Sequence, residues 1–244
     1  MGPIQQTRRS FLVLAGIPLF GICSPRRTRL SGIPFSFIGQ GRSSRRYLVI
    51  HGDEITARET LLGHMKSHQG QAYLIDSQTR TVRPHLLEID PNRMFSDAGA
   101  ARSLERLNGS ADAGAIQREV KWLAVRRHQL FKALLPPQGG LLIVLHNNAR
   151  GYSVDDEVPI SNKVHLPNPS APHEFFLATS ETDFARIAAG PYNAVMQNDA
   201  KGEDDGSLSR LCASRGIRYV NLECALGNRK AQSEMLAWLD GVLP

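Results

Sequence analysis

The stretch Tyr47-Leu-Val-Ile-His51-Gly-Asp-Glu54 sets an imidazole and a carboxylate three residues apart at the end of an apolar run. Both groups are good zinc ligands, and a catalytic zinc commonly takes three protein ligands and keeps a fourth position for water. The pair is therefore half of a metal site, and it requires a third ligand and a group able to activate the water. Spacing alone carries little information. With 8 His and 11 Glu in 244 residues, chance supplies about 0.4 His-x-x-Glu matches per chain, and a second match stands at His85-Leu-Leu-Glu88.

Context separates the two. Tyr47 to Ile50 reads as a buried strand, Glu54 to about Ser67 as a helix, and Ala72 to Ile75 as the next strand, a strand–helix–strand order that favours parallel pairing. Leu141-Leu-Ile-Val-Leu145 is a continuous apolar strand of the kind covered on both faces, and it leads into His146-Asn147-Asn148. Ile217-Arg-Tyr-Val-Asn-Leu222 leads into Glu223. His51, His146 and Glu223 thus follow three strands in the same way, whereas His85 follows none. In open α/β sheets ligands bind beyond the carboxyl ends of the strands, so parallel strands would gather these three side chains in one crevice.

The remaining elements fit one α/β domain. A long helix is expected from about Ala113 to Leu135, stopped by Pro136-Pro-Gln-Gly-Gly140. Phe175 to Ala178 and Ala194 to Met196 read as strands, with helices from Asp183 to about Ala189 and from Lys230 to Leu239. Asp204-Asp-Gly-Ser207 is a helix start and Gly216 a helix stop. Residues 76–99 and 149–172 read as loops, the first long enough to suggest a functional role.

The formal charge of +6 suggests a polyanion partner until it is located. Residues 1–46 carry eight Arg, no Lys and no acid, which leaves 21 basic against 23 acidic residues in the body. No nucleic-acid partner is therefore expected. Gln6-Thr7-Arg8-Arg9-Ser10-Phe11-Leu12 and the apolar run to Cys23 resemble a twin-arginine export signal, too short for a comfortable membrane span. Residues 1–23 are accordingly expected to be a leader, 24–46 a linker, and 47–244 the catalytic domain of a periplasmic or exported protein without a stable transmembrane span in its mature form. Cys212 and Cys224 read as two buried thiols, with a disulfide left open.

An ordered set of motifs resembles the zinc carboxypeptidase superfamily, and within it the succinylglutamate desuccinylase and aspartoacylase branch. Its members carry a strand with His-Gly-Asn-Glu, here His51-Gly-Asp-Glu54; then Asp-x-Asn-Arg-x-Phe, here Asp90-Pro-Asn-Arg-Met-Phe95; then a strand ending in His-Asn, here His146-Asn147. The resemblance implies a three-layer α/β/α fold with a mostly parallel or mixed central sheet. It implies one zinc per chain on His51, Glu54 and His146, substrate carboxylate binding by Asn92 and Arg93, and Glu223 as catalytic glutamate. The implied activity is hydrolysis of an amide bond in a small carboxylate-bearing substrate, an N-acyl amino acid or a short peptide. A murein-peptide carboxypeptidase and a non-catalytic binding protein of the same fold are the alternatives. Asp53 departs from the usual Asn, and Asn221-Leu-Glu-Cys224 departs from the Glu-Val-Gly of aspartoacylases. A further arginine near the reacting carbonyl is implied, without a choice between Arg80 and Arg83.

Overall fold

The computed structural model describes residues 25–148, 151–199 and 202–244. Among them one mixed sheet of nine strands runs in the order β1-β2-β4-β3-β5-β9-β7-β8-β6. The strands that matter for the site are β3 (Arg46–Val49), β4 (Gly70–Ile75), β5 (Leu141–Asn148) and β9 (Arg218–Ala225). Each apolar run became one of them because it is covered on both faces, and every residue of β5 is buried. The pairs β3/β4, β3/β5 and β5/β9 are all parallel, so their carboxyl ends share one edge. Beyond β9 the sheet continues antiparallel to β7 (Phe175–Ala178), then parallel to β8 (Asn193–Met196), and ends in β6 (Lys163–His165).

Helices cover both faces and complete three layers. On one side α1 (Ile55–His64), α5 (Glu181–Ala188) and α7 (Arg229–Val242) pack Leu61, Ile187, Met235 and Leu239 against alternate strand residues such as Val49, Ile143 and Leu222. On the other, α2 (Asp97–Leu107), α3 (Ala113–Leu134) and α6 (Leu208–Ser214) pack Leu104, Leu123, Leu134 and Leu208 against Leu48, Val144 and Tyr219. A single turn, α4 (Val154–Glu157), is closed by a capping box between Ser153 and Asp156. No helix among the described residues is long and apolar enough to cross a membrane. Cys212 and Cys224 are buried free thiols.

The linker expected at 24–46 is corrected. Residues Arg26–Leu30 and Ile33–Gln40 form the antiparallel hairpin β1–β2, and β2 extends the sheet by pairing with β4. The turn at Ser31-Gly32 takes positive φ at both residues, 49° and 80°, as a two-residue hairpin turn requires. Ile33, Phe35 and Ile38 are buried by this pairing, which fixes the segment to the domain. The leader expected at 1–23 lies outside the described residues.

Candidate metal centre

Three elements deliver three side chains to one point. His51 follows β3 by two residues, and Glu54 stands at the N-cap position of α1. Its carboxylate caps no backbone N–H of that helix and turns to the histidines instead. His146 lies on β5, whose parallel register sets it directly beside Glu223 on β9. The backbone of β5 is pinned there by a buried relay. Asn147 Oδ1 accepts from Ala57 N at 2.8 Å, Asn147 Nδ2 donates to Gln232 Oε1 at 3.2 Å, and Gln232 Nε2 donates to the His146 carbonyl at 2.9 Å. The first turn of α1, β5 and α7 are thereby held in one geometry.

His51 Nδ1 lies 2.8 Å from Glu54 Oε1 and 3.2 Å from His146 Nδ1, and His146 Nδ1 lies 3.1 Å from Glu54 Oε2. All three residues are buried. His51 Nε2 is engaged by Asp90 Oδ1 at 2.9 Å. With the ring proton on Nε2, the lone pair of Nδ1 faces a carboxylate and the second imidazole. Three lone-pair donors this close repel one another unless a cation or protons lie among them, and two imidazoles with a carboxylate match the donors of a three-ligand zinc site.

The charges agree. Burial alone would lower the His51 pKa, but Glu54 and Asp90 override it and raise the group to about 9. Burial would raise Glu54, but the adjacent His146 and His51 hold it at about 2. Asp90 is also held well below the usual carboxylate range, against its burial, by His51 and by the nearby Arg93 and Arg80. Burial pushes Glu223 upward, Glu54 and Glu157 add to the rise, and His146 and Asn221 oppose it.

A pH dependence follows for the metal-free protein. His51, raised from 6.5, contributes stability that is complete below pH 6.5 and lost as the pH rises through about 9. Glu54, lowered from 4.5, contributes above pH 4.5 and loses that contribution as the pH falls through about 2. The Tm of chelator-treated protein should therefore fall on both sides of a plateau between pH 4.5 and 6.5, and His51→Gln should remove the alkaline fall.

The group opens into a cavity of about 750 Å³ that also reaches Arg80, Asn92, Arg93, Tyr152 and Glu223. The six residues given roles from the sequence, His51, Glu54, Asn92, Arg93, His146 and Glu223, all line this cavity. Asn92 accepts from Leu208 N at 3.1 Å through Oδ1, which ties the loop after β4 to α6. Arg93 lies 3.5 Å from Asp205. The loop holding Asp205 can approach because α2 carries Gly99, where a Cβ would stand 2.2 Å from Gly206 Cα. Of the two arginines left open, Arg80 is the one at the centre, half-exposed, with Nη1 3.2 Å from Glu54 Oε1 and Nε 3.8 Å from Asp90 Oδ2. Arg83 does not line the cavity. His85 pairs with buried Glu119 at 2.9 Å and stacks on Trp122, away from the site. Asp53 is exposed at the cavity wall and forms no ion pair among the described residues.

No protein-family model and no curated protein sequence matches this chain. Solved structures similar to it include a succinylglutamate desuccinylase/aspartoacylase from Rhodobacter sphaeroides, at 15% identity and TM-score 0.47 over 91% of this chain and 66% of that one. A succinylglutamate desuccinylase from Silicibacter sp. TM1040 is similar at 13% identity and TM-score 0.46, over 86% and 60% of the two chains. The murein-tripeptide amidase MpaA from Escherichia coli O157 is similar at 16% identity and TM-score 0.44, over 91% and 93%.

Asp90 was missed as a site residue although it opens the motif that supplied Asn92 and Arg93. It orients His51 through Nε2, and the loss of such a partner commonly costs 10–100-fold in metal affinity. Asp90→Ala should weaken zinc binding by about that factor with the fold retained, as read by competition against a chromophoric chelator. A second cluster, His64, His68 and Asp240, lies near the start of β3. Its imidazoles stack face to face at 3.7 Å and Arg45 already neutralises Asp240. Parallel rings do not aim two nitrogens at one ion, and the cluster is read as packing.

Proposed function

We propose that this chain is a zinc hydrolase that cleaves an amide bond in a small carboxylate-bearing substrate, an N-acyl amino acid or a short peptide. The observation that carries this reading is the convergence of His51, Glu54 and His146 in the buried corner of a cavity whose wall, one strand away, holds Glu223 beside His146. His51, Glu54 and His146 would hold one zinc. Zinc bound there supplies Lewis acidity at the scissile carbonyl and brings the pKa of a coordinated water to about 7.

The chain's own groups divide the remaining work. Glu223, buried and with its pKa raised, takes the proton of the attacking water and returns it to the leaving amine, as general base and then general acid. Asn221 Nδ2 donates to Glu223 Oε1 at 3.0 Å and fixes the carboxylate. Arg93 presents the planar fork suited to a carboxylate, with Asn92 beside it. Arg80, at the cavity centre, can donate to the oxygen on which charge develops. A binding protein would gain nothing from a buried carboxylate placed beside the metal ligands, which favours a catalyst. The Arg8-Arg9 leader is read as export to the periplasm.

The test is hydrolysis of a panel of N-acyl amino acids and acyl-dipeptides by the purified chain. Turnover that is abolished by a chelator and restored by zinc supports the reading. Turnover indifferent to chelation, or absent with every member of the panel, contradicts it.

A further inference from the structure

The charges that line the cavity do not all find partners. Arg80 faces Glu54 and Asp90, and Arg93 and Arg210 both face Asp205. Glu223 is accounted for as the proton carrier. Besides the exposed Asp53, Glu157 at the end of α4 is left over, and it is the partly buried one. Its Oε1 accepts from the Tyr152 hydroxyl and its Oε2 from the Gln197 amide, both neutral donors. Among the described residues it makes no ion pair with Lys, Arg or His.

An uncompensated carboxylate at a partly buried position is costly unless something charged meets it. Its orientation is nevertheless well determined. Gln197 is buried and also donates to Ser161 Oγ at 3.2 Å, Ser161 Oγ donates to the Glu157 carbonyl at 2.8 Å, and Tyr152 packs against Phe175. A carboxylate offers about four lone-pair sites and two are used, so acceptor capacity remains. Ile160, Leu177 and Tyr219 are the apolar and aromatic residues that line the same cavity as Glu157.

We infer that Glu157 is a specificity-determining residue that receives a cationic group carried on an aliphatic stem, so that the substrate is an amide of a diamino acid: one carboxylate for Arg93 and one side-chain ammonium for Glu157. The stem would lie along Leu177 and Ile160, which can cover methylene groups but offer them no charge. This assignment rests on the hydrolase reading for the place of the carboxylate. It goes beyond that reading by requiring a positive charge on the same molecule, which an acidic or purely aliphatic amino acid lacks.

The test uses binding of two probes to the zinc-loaded protein by calorimetry, Nα-acetyl-lysine and its near-isostere without the amine, Nα-acetyl-norleucine. The wild type should bind the lysine derivative about tenfold more tightly or better, as expected for a hydrogen bond between charged groups. Glu157→Gln should remove the preference and Glu157→Asp should keep part of it. A purely structural role for Glu157 would weaken both probes alike and leave their ratio unchanged. Equal affinity in the wild type, tighter binding of norleucine, no binding of either probe, or a ratio untouched by Glu157→Gln would overturn the assignment. Hydrolysis is scored separately, as release of acetate from Nα-acetyl-lysine and from Nα-acetyl-norleucine, both of which keep the free α-carboxylate. Lysine preference without turnover would sustain the Glu157 assignment and defeat the hydrolase reading. Turnover without lysine preference would do the reverse.

Discussion

Glu223→Gln should lower kcat by about a thousandfold while zinc content stays at the wild-type level. The amide is nearly the size of the carboxylate and can keep the contact with Asn221, so neither the register of β9 nor the packing beside His146 needs to change. What it cannot do is accept a proton from water and return it to an amine, a contribution typically worth about 10²–10⁴ in rate. Because the loss concerns the chemical step, KM should move far less than kcat. The measurement is steady-state kinetics paired with elemental analysis of the same preparation. A variant that keeps wild-type turnover would remove Glu223 from the mechanism.

His146→Ala should act through the metal. It leaves His51 and Glu54 as a two-residue remnant, and the zinc Kd should rise by about 100-fold or more, since each of three ligands carries a substantial share of the binding free energy. Turnover at micromolar zinc should fall with it and recover in part when zinc is raised. His146 is buried on a strand that is buried throughout, so the far-ultraviolet circular dichroism of the variant should be recorded first. Affinity equal to wild type in a folded variant would remove His146 from the site.

Much of this arrangement could be read before any coordinates. The strands that lead to His51, His146 and Glu223 announce themselves as apolar runs because they are buried on both faces, and the side chains at the ends of such runs converge on one edge of the sheet. The same criterion set His85 aside, and the structure pairs it with Glu119 instead.

Other features were hidden for definable reasons. The hairpin β1–β2 contains Pro34, Gly39 and a run of arginines, which read locally as a linker; only pairing with β4 makes Phe35 and Ile38 buried residues. Helix α2 buries Gly99, Ala100, Ser103 and Leu104, a stripe of mostly small residues without an apolar period to notice. Asp90 and Glu157 are single acids whose roles depend on loops closing onto distant strands, and spacing along the chain carries no trace of that.

Zinc analysis of the purified wild-type chain beside His51→Ala tests the metal centre most directly. About one zinc per chain is expected in the wild type after dialysis against metal-free buffer, and none in the variant. A native, folded chain that takes up no zinc, or a His51→Ala protein that retains as much as the wild type, would contradict the assignment of His51, Glu54 and His146 as the site.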